Sequence, residues 1–280
     1  MIKAFVVGHP IAHSRSPMIH GHWLATLGLD GSYQRIDVAP EDFATFLRGL
    51  KADGFAGGNV TLPHKEAAFA GAEVLTEAAR RIGAVNTLSF DGQGRLMGDN
   101  TDAVGFTAHL DETLGRDWLG TDTGDVVILG AGGAARAVVA GLLERPATRI
   151  LVANRTRSRA QAIAGLDPSR VEAIDWDGLD AAVRGARLLV NTTSLGMTGK
   201  PQLDIALDHV PVECAVADIV YSPLETPLLA AAAARGHRVV DGLGMLLHQA
   251  VPGFERWFGT RPVVTPELRA LIVADLVTKR

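Results

Sequence analysis

The stretch "VVILGAGGAARAVV", Val126–Val139, decides the fold of this chain. Its apolar, largely β-branched run stops at Gly130, and the small and apolar residues that follow suit a helix packed on a sheet. Gly130, Gly132 and Ala135 stand in the G-x-G-x-x-A spacing. Between a strand and a helix these positions have separate tasks. Gly130 permits the tight turn, Gly132 lets a pyrophosphate approach the backbone, and Ala135 allows close helix packing, with the helix N-terminus facing the anion. The alternative is a tight turn that holds no ligand; the strand–turn–helix context favours dinucleotide binding.

Outward from this turn, "RILVAN", "VEAID", "RLLVNTT", "AVADIV" and "HRVVDG" alternate with helical stretches as far as residue 242. Such alternation implies a parallel sheet with right-handed crossovers, buried on both faces, and so a doubly wound domain over 103–242. The first hundred residues repeat the style less regularly. "IKAFVVG", "YQRIDV" and "GFAGGNVT" read as strands, "PEDFATFLRGLKA" as a helix, and "AVNTLSF" and "RLMGDN" as a hairpin around "DGQG". These residues form a first α/β domain, 1–102. The link between the domains is expected at the helix opening near "NTDAVGFTAHL" and the polar "GRDWLGTDTGD" behind it. Beyond "VVDG" the pattern turns helical, and Thr265 is expected to cap a last helix with Pro266 at its first position.

With 280 residues, 47% of them hydrophobic and 21% charged, the chain can bury a substantial core, and two domains are expected. A formal net charge of −4 argues against a broad nucleic-acid surface. No apolar run approaches the roughly 18 residues of a membrane span, so a cytoplasmic protein is expected. Cys214 is the single cysteine, which excludes an internal disulfide and a cysteine-rich zinc site, and its apolar setting reads as a packed, inert thiol. His9, His13, His20 and His22 crowd together without a metal-binding spacing, and no metal is expected.

About twenty residues past the glycines, where a carboxylate would bind the ribose hydroxyls of NAD, stands Asn154. A neutral amide followed by Arg155, Thr156 and Arg159 offers hydrogen bonds and positive charge to the 2′-phosphate of NADP. The alternative is a solvated helix start, and Arg157 in particular is open to that reading.

Toward the N-terminus, "HSRSP" places Ser16 before Pro17, the pattern of an N-cap. Ser14 and Ser16 beside exposed helix amides make a seat for a carboxylate. In "GGNVTLPHK", Asn59 and Thr61 alternate at a strand end, and Lys65 falls in the first turn of a helix, against its dipole. Asn86 in "GAVNTL" and Asp102 in "GDNTDAVGF" complete a polar set.

"GHPIAHSRSP", "GGNVTLPHK", "GAVNTL", "GDNTDAVGF", "GAGGAARA", "NRT", "NTTSLGM" and "DGLGMLLHQA", in this order, make the chain resemble the shikimate dehydrogenases of the aromatic amino-acid pathway over nearly its whole length. The resemblance implies an N-terminal α/β substrate domain, a C-terminal Rossmann-type doubly wound domain for NADP(H), and terminal helices, 243–280, that return to the first domain. It implies reversible NADPH-dependent reduction of 3-dehydroshikimate to shikimate, by a monomer or homodimer, with no nucleic acid or membrane as partner. Ser14 and Ser16 would hold the substrate carboxylate, and Asn59, Thr61, Asn86, Asp102 and Gln249 the ring hydroxyls. Tyr221 would add a contact, and Lys65 would be catalytic beside Asp102. Gly130, Gly132, Gly133 and Ala134 would lie at the phosphates, and Asn154, Arg155, Thr156 and Arg159 at the adenosine. Thr192, Ser194, Met197, Ile219, Gly242 and Met245 would lie toward the nicotinamide. The chain departs from the usual pattern at Ala103, where glycine is commoner, which affects helix packing and cleft shape more than chemistry.

Reducing a ketone leaves an alkoxide, so a proton donor must stand within hydrogen-bond reach; Lys65 can supply it, and a carboxylate at Asp102 favours its charged form. Two rival readings stand beside this one: a dehydrogenase of mixed quinate and shikimate specificity, and a catalytically silent NADP-binding regulatory protein.

Overall fold

The computed structural model describes residues 1–118, 124–145 and 149–278. It divides into two compact units, Met1–Asp102 with Leu247–Asp275, and Ala103–Leu246 with Leu276–Arg280.

The first unit runs β1 (Ile2–Gly8), α1 (Ser16–Thr26), β2 (Gly31–Asp37), α2 (Phe43–Gly49), β3 (Phe55–Val60), α3 (Lys65–Gly71), β4 (Val74–Leu75), α4 (Glu77–Ile82), β5 (Thr87–Phe90) and β6 (Leu96–Asp99). Its sheet has the order β2-β1-β3-β5-β6-β4. β1, β2 and β3 are parallel, while the β5–β6 hairpin joins β3 antiparallel. The hairpin turn closes because the Asp91 carboxylate accepts the backbone N–H groups of Gln93 and Arg95, each at 2.9 Å. β4, two residues that pair with β6, is a strand that periodicity could not show, since two residues carry no alternation. One core of this unit gathers Phe5, Phe43, Leu47, Leu50 and Leu88.

The second unit begins with α5 (Asp102–Leu114), whose first residue closes the first unit, and continues β7 (Asp125–Leu129), α6 (Gly133–Leu143), β8 (Ile150–Ala153), α7 (Arg157–Ala164), β9 (Val171–Ile174), α8 (Leu179–Val183), β10 (Ala186–Asn191), β11 (Ala215–Asp218), α9 (Pro227–Ala234) and β12 (Val239–Val240). All described strand pairs are parallel, in the order β12-β11-β10-β7-β8-β9. The order reverses between β7 and β10, the switch point of a Rossmann-type sheet. Separate apolar clusters, one holding Val126, Ile128, Val138 and Leu188, the other Val127, Leu129, Leu189 and Val216, cover alternate residues of the same strands. That is why these strands read as unbroken apolar runs. Residues 119–123 of the polar linker stretch lie outside the described residues.

α10 (Gly242–Phe258) and α11 (Pro266–Thr278) close the chain. Thr265 caps α11 through the Leu268 N–H, as expected. The resemblance implies a tail that returns from residue 243; the chain passes from the second unit to the first between Leu246 and Leu247, one turn into α10. Met245 packs on the core that holds Val126 and Ile128, which ties that first turn to the Rossmann-type unit.

One capping expectation is corrected. Ser16 is not the N-cap of α1: Arg15 precedes it with helical angles, φ −92° and ψ −7°, so Ser16 is already helical. The roles of the two serines are exchanged, because the Ser14 hydroxyl accepts the Ser16 N–H at 3.3 Å.

Candidate active site

Lys65 opens α3 and Asp102 opens α5, and their side chains meet, with Nζ donating to Oδ2 at 2.6 Å. Both are largely buried, 26% and 12% exposed, so this charge-assisted bond is little diluted by solvent. The turn before α5 is built for this placement. Asn100 Oδ1 accepts the Asp102 N–H at 3.1 Å, and Asp99 accepts the Asn100 N–H at 2.8 Å. Asp99 is itself held by Thr76 and Arg256, each at 2.5 Å.

Asn86 is the hub of the group. Its Nδ2 donates to Asp102 Oδ1 at 2.8 Å and lies 3.1 Å from Thr101 Oγ1 and 3.4 Å from Gln249 Oε1. Its Oδ1 accepts from the Thr101 N–H and the Thr87 hydroxyl, each at 2.9 Å. Gln249 is anchored on the same cluster, since the Thr101 hydroxyl donates to its backbone carbonyl at 2.8 Å. Asn59 donates from Nδ2 to Asn86 O and to Thr87 Oγ1, both at 3.2 Å. Its Oδ1 accepts the Tyr33 hydroxyl at 2.6 Å. Both amide hydrogens of Asn59 and one lone pair of its Oδ1 are thus engaged within the fold. Thr61 follows β3 directly, and its backbone N–H donates to Val7 O at 2.9 Å.

The serine loop is pinned from β2. Arg35 donates twice to Ser14 O, at 3.0 and 2.6 Å, and Arg15 bridges to Asp275 of α11 at 3.1 Å. Ser16 is buried, and its side chain bonds the Tyr33 hydroxyl. Tyr33 thus joins the serine loop to Asn59. Burial pushes its phenol pKa well above the ordinary value. The fully buried His20 ring stacks on it at 4.0 Å, and burial lowers the His20 pKa to about 3. Sequence reasoning passed over Thr87 and Thr101, although each adjoins a residue it had chosen, and over Tyr33, for which no local signal exists.

Tyr221 belongs to the other unit, as do all the residues expected at a cofactor. Gly130 has φ +105°, and a Cβ there would come within 2.9 Å of Thr192 Oγ1 and Thr193 Cγ2, so the turn requires glycine. Gly132 is the N-cap of α6, with no side-chain cap, and a Cβ on Gly132 or Gly133 would meet nothing within 4 Å. Ala134 follows in the first turn. The fold therefore leaves uncapped N–H groups beside open space, which fits a pyrophosphate.

At the end of β8, the half-buried Asn154 donates to Thr156 O at 2.9 Å. The structure separates the arginines that follow. Arg157 pairs with Asp175, whereas the side chains of Arg155 and Arg159 have no polar partner among the described residues. The donor set, an amide with two unengaged guanidinium groups, suits a phosphate and not a second cation.

On the far side of the switch point, Thr192 donates to Leu129 O at 2.7 Å, and Ser194 and Met197 are exposed beyond it. A Cβ on Gly242 would collide with Ile219 O, and both Ile219 and Met245 pack on the core of the unit. The loops here are tied by Asp218, which the sequence did not single out. Its buried carboxylate accepts from Asn191 Nδ2 and Val220 N, both at 3.0 Å, and from Thr226 Oγ1 at 2.8 Å, while burial pushes its pKa up. Cys214 lies just before β11, buried, with its thiol pushed up to about 12 by burial.

Fold and site together define a two-domain α/β protein, with a Rossmann-type unit and a lysine–carboxylate pair in the other. Family models match residues 6–88 as a shikimate dehydrogenase substrate-binding domain, 114–197 as shikimate/quinate 5-dehydrogenase, and 242–265 as a shikimate 5′-dehydrogenase C-terminal domain. The chain is 65% identical over 274 residues, 98% of its length and 97% of the relative's, to a shikimate dehydrogenase (NADP(+)) of Methylobacterium radiotolerans. Among solved structures it is similar to shikimate 5-dehydrogenase of Thermus thermophilus in complex with NADP(H) and shikimate, with TM-score 0.85, 38% identity, and 99% and 100% of the two chains covered. It is also similar to quinate dehydrogenase of Corynebacterium glutamicum in complex with NAD, with TM-score 0.89, 32% identity, and 98% and 99% covered. The chain belongs to the shikimate dehydrogenase family.

Proposed function

We propose that this chain catalyses the reversible NADPH-dependent reduction of 3-dehydroshikimate to shikimate in aromatic amino-acid biosynthesis. The observation that carries the reading is the Lys65 Nζ to Asp102 Oδ2 bond of 2.6 Å, set among amide and hydroxyl groups suited to a polyol. NADPH, when bound, supplies the hydride. Lys65 then gives a proton to the ketone oxygen as negative charge develops there, and Asp102 holds the ammonium and a neighbouring ring hydroxyl in place. Ser14 and Ser16 seat the carboxylate, Asn59, Thr61, Asn86 and Gln249 fix the ring hydroxyls, and Tyr221 adds a contact. Met1–Asp102 with the returning tail is the substrate and catalytic domain, and the Rossmann-type unit is the NADP-binding domain.

In that domain Gly130, Gly132, Gly133 and Ala134 hold the phosphates, and Asn154, Arg155, Thr156 and Arg159 the adenosine 2′-phosphate. Thr192, Ser194, Met197, Ile219, Gly242 and Met245 line the nicotinamide side. Among the described residues no helix is long and apolar enough to cross a membrane. We place the enzyme in the cytoplasm, as a monomer or homodimer, which sedimentation tests directly.

The likeness to a quinate dehydrogenase with NAD makes quinate the competing substrate. An amide at 154 in place of a carboxylate supports NADP, and loss of NADPH absorbance with 3-dehydroshikimate, run beside NAD with quinate, decides between them. Lys65→Met is expected to cut turnover by orders of magnitude with NADPH binding intact. Near-normal turnover would remove Lys65 from the chemistry.

A further inference from the structure

We infer that Tyr33 is a positioning residue for the reaction, standing at the head of a one-directional hydrogen-bond relay that ends on Asp102. The inference rests on the proposed roles of Lys65 and Asp102. The Tyr33 hydroxyl donates to Asn59 Oδ1 at 2.6 Å, and Asn59 Nδ2 donates to Thr87 Oγ1 at 3.2 Å. The Thr87 hydroxyl donates to Asn86 Oδ1 at 2.9 Å, and Asn86 Nδ2 donates to Asp102 Oδ1 at 2.8 Å. Asp102 Oδ2 then takes Lys65 Nζ.

The direction of this chain is set by the backbone. An amide side chain can be turned over without changing its shape, so its orientation must be read from partners with a fixed role. Asn59 Nδ2 faces the carbonyl of Asn86, which only accepts, so Oδ1 must face Tyr33. Asn86 Oδ1 faces the N–H of Thr101, which only donates, so Nδ2 must face Asp102. Thr87 has one proton, and with Asn59 donating to its oxygen that proton is free to go to Asn86. Its other hydroxyl neighbour, Thr101 at 3.3 Å, donates its own proton to Gln249 O.

Every proton in the relay therefore points toward the carboxylate. Aligned dipoles in a buried chain reinforce one another, and their positive end falls on Asp102. The relay keeps Asp102 an acceptor on Oδ1 and so holds Oδ2 in place to take the Lys65 Nζ. Tyr33 touches neither reacting group; it acts through Asn59, Thr87 and Asn86.

The test is steady-state reduction of 3-dehydroshikimate by full-length variants. Tyr33→Phe removes one hydroxyl and leaves the ring to stack on His20. Thr87→Val cuts the relay at its middle with little change of shape, and Thr87→Ser restores the hydroxyl. Each break is expected to lower kcat about three- to tenfold with the NADPH Kd within about twofold of the parent, and in Thr87→Val, which leaves the Tyr33 bond to Ser16 intact, the KM for 3-dehydroshikimate should also stay within about twofold. The double variant should be no slower than the slower single, as for two links of one chain, and Thr87→Ser should regain the parent kcat.

A parent-like kcat in Tyr33→Phe, losses that multiply in the double variant, or a change confined to KM would each overturn the inference. Should Tyr33→Phe not fold by circular dichroism, Thr87→Val against Thr87→Ser carries the test alone. Turnover surviving in Lys65→Met would defeat the proposed chemistry itself. An inactive Lys65→Met beside parent-like relay variants defeats only the relay.

Discussion

Replacing Gly132 by alanine separates what the fold needs from what a bound dinucleotide needs. Gly132 has φ −95° and ψ −172°, an extended conformation open to any residue, and a Cβ there meets nothing within 4 Å. As the N-cap of α6, alanine is worse than glycine by several tenths of a kcal/mol to about 1 kcal/mol. Against this, alanine restricts the unfolded chain and contributes about 0.4–1 kcal/mol of stability. The two effects offset each other, and for a chain of this length Tm should move by less than about 3 °C.

Binding should respond quite differently. A methyl group at the uncapped start of α6 occupies the space through which a pyrophosphate would reach the helix N–H groups. Losing one hydrogen bond to a charged group costs about 1.5–3 kcal/mol, roughly a 10- to 100-fold rise in Kd. Titration of NADPH fluorescence, with thermal unfolding of the same samples, measures both quantities. Gly130→Ala is the contrasting variant. At φ +105°, with Thr192 Oγ1 and Thr193 Cγ2 each 2.9 Å from the new Cβ, it should lose Tm by several degrees before any ligand is added. Gly132→Ala binding NADPH as tightly as the parent, or losing as much stability as Gly130→Ala, would refute the reasoning.

Replacing Arg155 and Arg159 together with alanine should erase most of the preference for NADP over NAD, measured as the ratio of the two Kd values, whereas Arg157→Ala, which breaks only the exposed pair with Asp175, should leave that ratio unchanged. His20 should make the protein acid-sensitive in a defined window. Its pKa is about 3 when folded and about 6.5 when unfolded, so below about pH 6.5 the unfolded state takes up the proton and stability falls as pH falls. From about pH 7.5 to about pH 5 this loss is about 2 kcal/mol, and urea unfolding of His20→Phe should lack that part of the slope. An unchanged slope would mean that the buried imidazole is not the cause.

The Rossmann-type unit was legible because its signals are local. Each strand of "DVVILG", "RILVAN" and "RLLVNTT" is buried on both faces and so announces itself as an apolar run, and the glycine spacing lies within one turn. The serine loop was legible only in part. Ser16–Pro17 looks like a cap and first turn, but the helix starts one residue earlier and Ser14 takes the capping contact, a shift that depends on the backbone angles of Arg15. Asp218 is not legible because nothing near it in sequence distinguishes a buried acceptor from an ordinary strand residue, and Thr87, although next to Asn86, reads as an ordinary strand threonine.

Composition, periodicity and the ordered motifs by themselves determined the α/β class, the parallel doubly wound half and the glycine turn that opens α6. Those properties depend on residues within a turn or a strand of one another. Only the tertiary structure decided which polar groups meet: Lys65 with Asp102 across 37 positions, Asn86 with Gln249 across 163, and Tyr33 with Asn59 through the pairing of β1 with both β2 and β3. Hydrogen bonds are short and directional, so partners distant in the chain are fixed by strand register and helix placement, and no sequence spacing encodes them.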